Sequence, residues 1–183
     1  MAKIKTMLKP AEQQFTAQQF FERLKALRSP AVAKSHDHLA SDKNDAIFGV
    51  RMGQVFALAK EFMSMELDEV EAMLESPIHE MRVGAVSVMD FQARSKKITD
   101  TRRKELFNLY IRRHDRINTW DLVDRSAPWV VGSYLFDKPR KVLYKLAKSK
   151  KMPERRTAIV STLFFDWKGR CGGCFQTCRT DAP

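Results

Sequence analysis

Helix-start signals recur near residues 77, 119 and 153, and each follows another helical run, at 66–75, 101–114 and 138–149. Ser76-Pro77 supplies an N-cap and a proline at the first helical position, and the helix it opens carries Ile78, Met81, Ala85, Val88 and Met89 at three-to-four spacing. Asn118 can cap the next helix, with Asp121 three residues later closing a capping-box-like arrangement. Pro153 opens the third, which carries Ile159, Val160, Leu163 and Phe164. An earlier pair fits 10–28 and 53–64. Separations of 42 and 34 residues between the three starts are those of helix pairs stacked into a HEAT- or armadillo-like α-solenoid, with an irregular helical bundle as the alternative. The chain is predicted to be all-α: it has seven glycines, three of them (Gly169, Gly172, Gly173) near the end, and no sustained alternation of apolar and polar residues. A solenoid would line its concave face with the second helix of each pair, here those starting near 77, 119 and 153.

Charge is distributed unevenly along this pattern. Residues 61–80 hold seven acids and no Lys or Arg, whereas 94–156 hold 19 Lys or Arg against 7 Asp or Glu. Nearly all of the net charge of +11 therefore lies in one contiguous third of the chain, which favours a nucleic-acid face over a merely solubilising surface. No run of about 18 apolar residues exists to span a membrane, and the first residues lack the apolar core of a signal peptide, so a cytoplasmic location is expected. Segment 29–47 reads as an exposed loop, begun where Ser29-Pro30 ends the first helix region. His36 and His38 in that loop have no third ligand nearby. Cys171, Cys174 and Cys178 lack a fourth ligand, so no metal is expected.

The basic third contains Asn118-Thr119-Trp120-Asp121-Leu122-Val123-Asp124. On a helix Trp120 and Asp124, at i and i+4, share a face. A carboxylate amid so many cations points to chemistry on a cationic or cation-forming substrate. Leu122, Val123 and Trp129-Val130-Val131 can supply the buried stripe without Trp120. Burying Trp120 would draw Asp124 inward, where an unpartnered carboxylate costs roughly several kcal/mol, so the pair makes better sense lining a cleft. Asp121 lies in the first turn and is assigned mainly to capping. Asp124 is the functional candidate, with a salt bridge to Arg125, Arg155 or Arg156 as its structural alternative. Arg155 and Arg156 suit bidentate phosphate contacts and point about 100° apart, so one can face the cleft. His79-Glu80-Met81-Arg82 reads as a polar staple between helices.

These residues carry a resemblance. Phe48-Gly49-Val50-Arg51-Met52, Ser76 through Arg82, Asn118 through Asp124, Ser126-Ala127-Pro128 and Arg155-Arg156-Thr157-Ala158-Ile159-Val160-Ser161-Thr162 occur in order. Together they resemble the HEAT-like-repeat DNA alkylation repair glycosylases, the AlkD-like family, over about residues 10–166. The resemblance implies an α-solenoid that cradles duplex DNA and hydrolyses the N-glycosidic bond of cationic N3- and N7-alkylated purines without metal or cofactor. It places the cleft aromatic and the catalytic carboxylate on Trp120 and Asp124. It places the phosphate-binding arginine on the Arg155–Arg156 pair, with Arg156 preferred. Arg51 and Lys148 are taken as further DNA contacts. Non-catalytic DNA binding by a HEAT-repeat module, or a protein scaffold using the acidic stretch 61–80, are the competing functions.

Two departures from the family stand out. Pro153 occupies the position before Glu-Arg-Arg where the family has an aromatic, and Asp166 through Cys174 fit neither a helix nor the family, as after a shifted reading frame or altered terminus. The family continues there with further repeats and another cleft tryptophan, a role not given to Trp167. Residues 1–166 are therefore taken as the repair domain and 167–183 as an irregular, disordered tail. Lower stability, self-association through an uncovered C-terminal helix face, or a partly empty DNA cradle is the expected consequence. No obligate protein partner is implied.

Overall fold

The computed structural model describes residues 15–36 and 46–169. His38, Cys171, Cys174 and Cys178 lie outside the described residues, as does the side chain of His36. The helices are α1 (Ala17–Ala26), α2 (Pro30–His36), α3 (Met52–Glu61), α4 (Leu67–Leu74), α5 (His79–Arg94), α6 (Asp100–Arg112) and α7 (Trp120–Ala127). After a π-helical turn, Pro128–Gly132, come α8 (Ser133–Leu135), α9 (Lys141–Ala147), α10 (Met152–Val160) and α11 (Leu163–Trp167). The described residues form no strand, and an isolated parallel bridge joins Ala46 to Ile78. No described helix is long and apolar enough to cross a membrane.

The helices stack in two layers, as an α-solenoid does. In one, α1 meets α4 and α4 meets α6; in the other, α3 meets α5, α5 meets α7 and α7 meets α10. Pairs close between the layers as α1 with α3, α4 with α5, α6 with the π-helical turn, and α9 with α10. A continuous apolar core from Phe20 to Phe165 runs through the stack.

At the centre of the stack α5 is enclosed by α3, α4, α7 and the π-helical turn. Its burial extends well past the predicted apolar stripe, taking in His79, Glu80, Arg82 and Asp90. Its start also differs from the sequence expectation. The helix begins at His79, with Ile78 as N-cap. Ser76 instead accepts a hydrogen bond from the Ile78 N–H at 3.1 Å. The bridge explains the delay: Ala46 N–H donates to the Pro77 carbonyl and His79 N–H to the Ala46 carbonyl, both at 2.9 Å. Inside this corner the Glu80 carboxylate accepts from Phe48 N–H (2.9 Å) and Gly49 N–H (2.7 Å). Gly49 has φ +85°, and a Cβ there would come 2.4 Å from the Ser29 carbonyl oxygen, so only glycine fits.

Three other expectations are corrected. Pro30 begins α2 rather than a loop, since proline is tolerated in a helix's first turn. Ile159 and Leu163 are exposed, and the expected single stripe is broken where the α10 helix stops at Val160. There Ser161 Oγ donates to Thr157 O (2.6 Å) and Thr162 Oγ1 to Ile159 O (2.7 Å), turning the chain before α11. Composition predicts no helix beyond Phe165, yet α11 continues to Trp167.

Candidate active site

The site is built on α7, whose orientation is fixed by what its other faces touch. Leu122, Val123, Ser126 and Ala127 are buried in the core. Asp121 and Arg125, one turn apart, both face α5. Asp121 Oδ2 lies 2.8 Å from the buried His79 Nε2. Burial raises the Asp121 carboxyl, but the hydrogen bond and charge of His79 outweigh it and hold the group below its ordinary value. Arg125 donates from Nε to Ser87 Oγ at 3.1 Å and reaches the fully buried Asp90 at 3.4 Å. Its guanidinium lies against the rings of Phe56 and Phe91, 4.5 and 4.9 Å from their centroids. Burial lowers Arg125 and raises Asp90 from their ordinary values; the charge of Asp90 opposes the first shift, and hydrogen bonds from Arg94 Nε (2.9 and 2.8 Å) together with the charge of Arg125 oppose the second. The strip that remains holds Trp120, 48% exposed, and Asp124, with 37% of its side chain exposed. An indole and a carboxylate thus stand on one open face of α7.

Capping differs from the sequence expectation: Thr119, not Asn118, is the N-cap of α7, and no side chain caps the helix. The C-terminal end is also unusual. Pro128 has no N–H to offer the carbonyl of Asp124 four residues earlier, and its ring crowds that carbonyl. The chain widens into the π-helical turn at that residue, a distortion often found at functional sites.

The second part of the site comes from α10. Arg156 Nε and Nη2 donate to Asp124 Oδ1 and Oδ2, each at 2.6 Å. The Asp124 hydrogen bonds and charge hold Arg156 above its ordinary pKa, with burial opposing. Directly after it, Thr157 Oγ1 is hydrogen-bonded to Tyr110 Oη (3.1 Å) and His114 Nε2 (2.8 Å), both buried. Burial lifts the Tyr110 hydroxyl and lowers the His114 imidazole from their ordinary values. This interior network fixes α10, and with it the root of the Arg156 side chain.

The structure thus brings Trp120, Asp124 and Arg156 together and separates the other sequence candidates. Arg155 turns away, its Nη1 donating to the carbonyls of Ser149 (2.9 Å) and Lys150 (2.8 Å). Arg51 is exposed at the N-cap of α3 and Lys148 is exposed at the end of α9. The supporting groups Tyr110, His114 and Asp90 were not among the sequence candidates, and Thr157 stood there only as part of the Arg155–Thr162 motif. Asp90 alone left a signal there, as a carboxylate inside an apolar run, which demands a partner.

The acidic and basic segments are not independent surfaces. Arg112 pairs with Glu71 at 2.6 Å, and Arg113 pairs with Glu71 and Glu75. Arg102 reaches Glu66 at 3.3 Å, and Arg116 donates to the carbonyls of Leu74, Glu75 and Ser76. Part of the excess charge is thus compensated between α4 and α6. Exposed lysines, among them Lys141, Lys145 and Lys150, carry much of the rest.

A family model described as DNA alkylation repair enzyme matches residues 20–182, extending past residue 166, where the motif resemblance stops. No curated protein and no solved structure gives a match. With a helical solenoid, a basic third and a model matched along nearly its whole length, the chain belongs to the family of DNA alkylation repair enzymes.

Proposed function

We propose that this protein is a DNA glycosylase that hydrolyses the N-glycosidic bond of cationic N3- and N7-alkylated purines in duplex DNA. The observation that carries the reading is the pairing of Trp120 and Asp124 on the one open strip of a helix otherwise committed to the core. Alkylation makes the base a cationic leaving group, so little acid assistance is needed. As the C1′–N9 bond breaks, its electron pair goes to the base, which departs neutral, and positive charge grows on the sugar. Asp124 stabilises that charge and orients a water whose oxygen bonds to C1′. The water proton passes to the carboxylate and then to solvent. The Trp120 face stabilises a nearby cation by roughly 0.5–2 kcal/mol. Arg156 holds the flanking phosphate. The step requires water alone as co-reactant.

Release of free 7-methylguanine from methylated duplex DNA tests this directly. Release by the wild type and its loss in Asp124→Asn supports the reading, and equal release by both removes Asp124 from the chemistry.

A second reading, a non-catalytic HEAT-repeat DNA-binding module, is favoured by the engagement of both Asp124 oxygens by Arg156. Duplex binding without base release at any wild-type concentration would select it.

A further inference from the structure

The Asp124–Arg156 pair presents a conflict. The glycosylase reading asks Asp124 to offer negative charge to the sugar and Arg156 to grip a phosphate, yet in the free protein each spends its charge on the other. We infer that Arg156 makes the site dependent on a polynucleotide backbone: a phosphodiester competes for the guanidinium and, by taking it, leaves Asp124 uncompensated. This inference rests on the glycosylase reading of the same site.

Four observations support it. The pair is bidentate, the geometry a phosphate can reproduce on the same two donors. It is also open to solvent, at 36% and 37% side-chain exposure, so a phosphate can approach the guanidinium without unfolding anything around it. Neighbouring arginines are committed elsewhere, Arg155 to the carbonyls of Ser149 and Lys150 and Arg125 to Ser87 and Asp90. Arg156, by contrast, is held by a residue of the site itself. Finally, the hydrogen bonds of Thr157 to Tyr110 and His114 hold the backbone beside Arg156 in place. The exchange therefore requires only the Arg156 side chain to swing. It follows that an alkylated nucleoside, which has no phosphate, leaves the latch closed.

A double-mutant cycle on undamaged duplex tests the competition apart from catalysis. Affinities are measured at one fixed low salt concentration for the wild type, Asp124→Asn, Arg156→Gln and the double variant. Removing a negative charge near DNA tightens binding in any background. Competition adds a further gain only where Arg156 is present. Asp124→Asn is therefore expected to tighten binding roughly three- to tenfold more with Arg156 than with Gln at that position. An equal or smaller gain overturns the inference. Thermal melts establish that all four proteins are folded. A second reading avoids substitution: the Arg156 Nε–H NMR resonance should shift when undamaged duplex is added to wild-type protein, and an unmoved resonance overturns the inference. Binding with a flat cycle removes the latch and leaves the glycosylase reading standing, whereas no duplex binding by any variant removes both.

Discussion

His79 Nε2 and Asp121 Oδ2 lie 2.8 Å apart, joining the first turn of α5 to the first turn of α7. Trp120 immediately precedes Asp121, so this contact sets where the indole emerges from the stack. His79→Ala leaves the largely buried Asp121 carboxylate unpaired, at a cost of about 1–3 kcal/mol. For a chain of this size that corresponds to a melting temperature lower by about 3–10 °C, measurable by calorimetry.

Asp121 also makes stability pH-dependent. Its folded pKa lies below the ordinary value, so its contribution is present above the unfolded carboxylate pKa of about 4. That contribution is lost as pH falls through the lower, folded value. Asp121→Asn should flatten the acid limb of the stability curve while lowering its plateau. An unchanged limb in denaturant titrations below about pH 4 would assign the dependence to other carboxylates.

Asp124→Asn keeps the volume of the side chain and its half-exposed position. The variant should fold and bind duplex DNA, with base release falling by about 10²–10³, the scale of losing one preorganised electrostatic group. Single-turnover release of 7-methylguanine, with binding measured separately, checks both halves of the prediction.

Trp120→Ala removes a side chain that is 48% exposed. Stability should change by no more than about 0.5–1 kcal/mol. Release should slow by about 3- to 30-fold, the loss of a cation–π contact of roughly 0.5–2 kcal/mol. A melting temperature that collapses instead would mean the indole is structural.

Gly132→Ala tests the end of the stack. A Cβ there would come 2.2 Å from the Ser161 carbonyl oxygen and 2.9 Å from Phe164 Cβ. Backbone cannot yield as a side-chain tip does, so the substitution should cost about 1–3 kcal/mol. The loss should appear in hydrogen exchange first at α11, whose contacts run to the π-helical turn.

Much of this architecture was legible along the chain because local rules wrote it. The α4 and α6 helices fall within two residues of their expected bounds, since periodicity and terminal residues act within one helix. That Trp120 and Asp124 share one strip follows from i, i+4 spacing, and that the strip is open follows from Leu122 and Val123 supplying the buried one. What local rules could not supply was the choice of partner across the fold. Arg125 is adjacent to Asp124 but points about 100° around the helix, toward Asp90. The partner found, Arg156, is 32 residues away. Likewise, the predicted stripe of α5 could not reveal that helices on every side would bury its charged residues. At Ser76-Pro77 the capping signal was overridden by the bridge to Ala46, a contact between distant segments.

The guanidinium of Arg125, gripped by rings from α3 and α5 while its backbone belongs to α7, links three successive helices of one layer. The spacing of these three helices is thereby tied by a side-chain clasp as well as by the chain's own connections. A layer clasped in this way meets a ligand with its helices already fixed in place. For a member of a DNA repair family this would make the nucleic acid, rather than the protein, the partner that yields, and its mechanical compliance would become part of what such a surface selects.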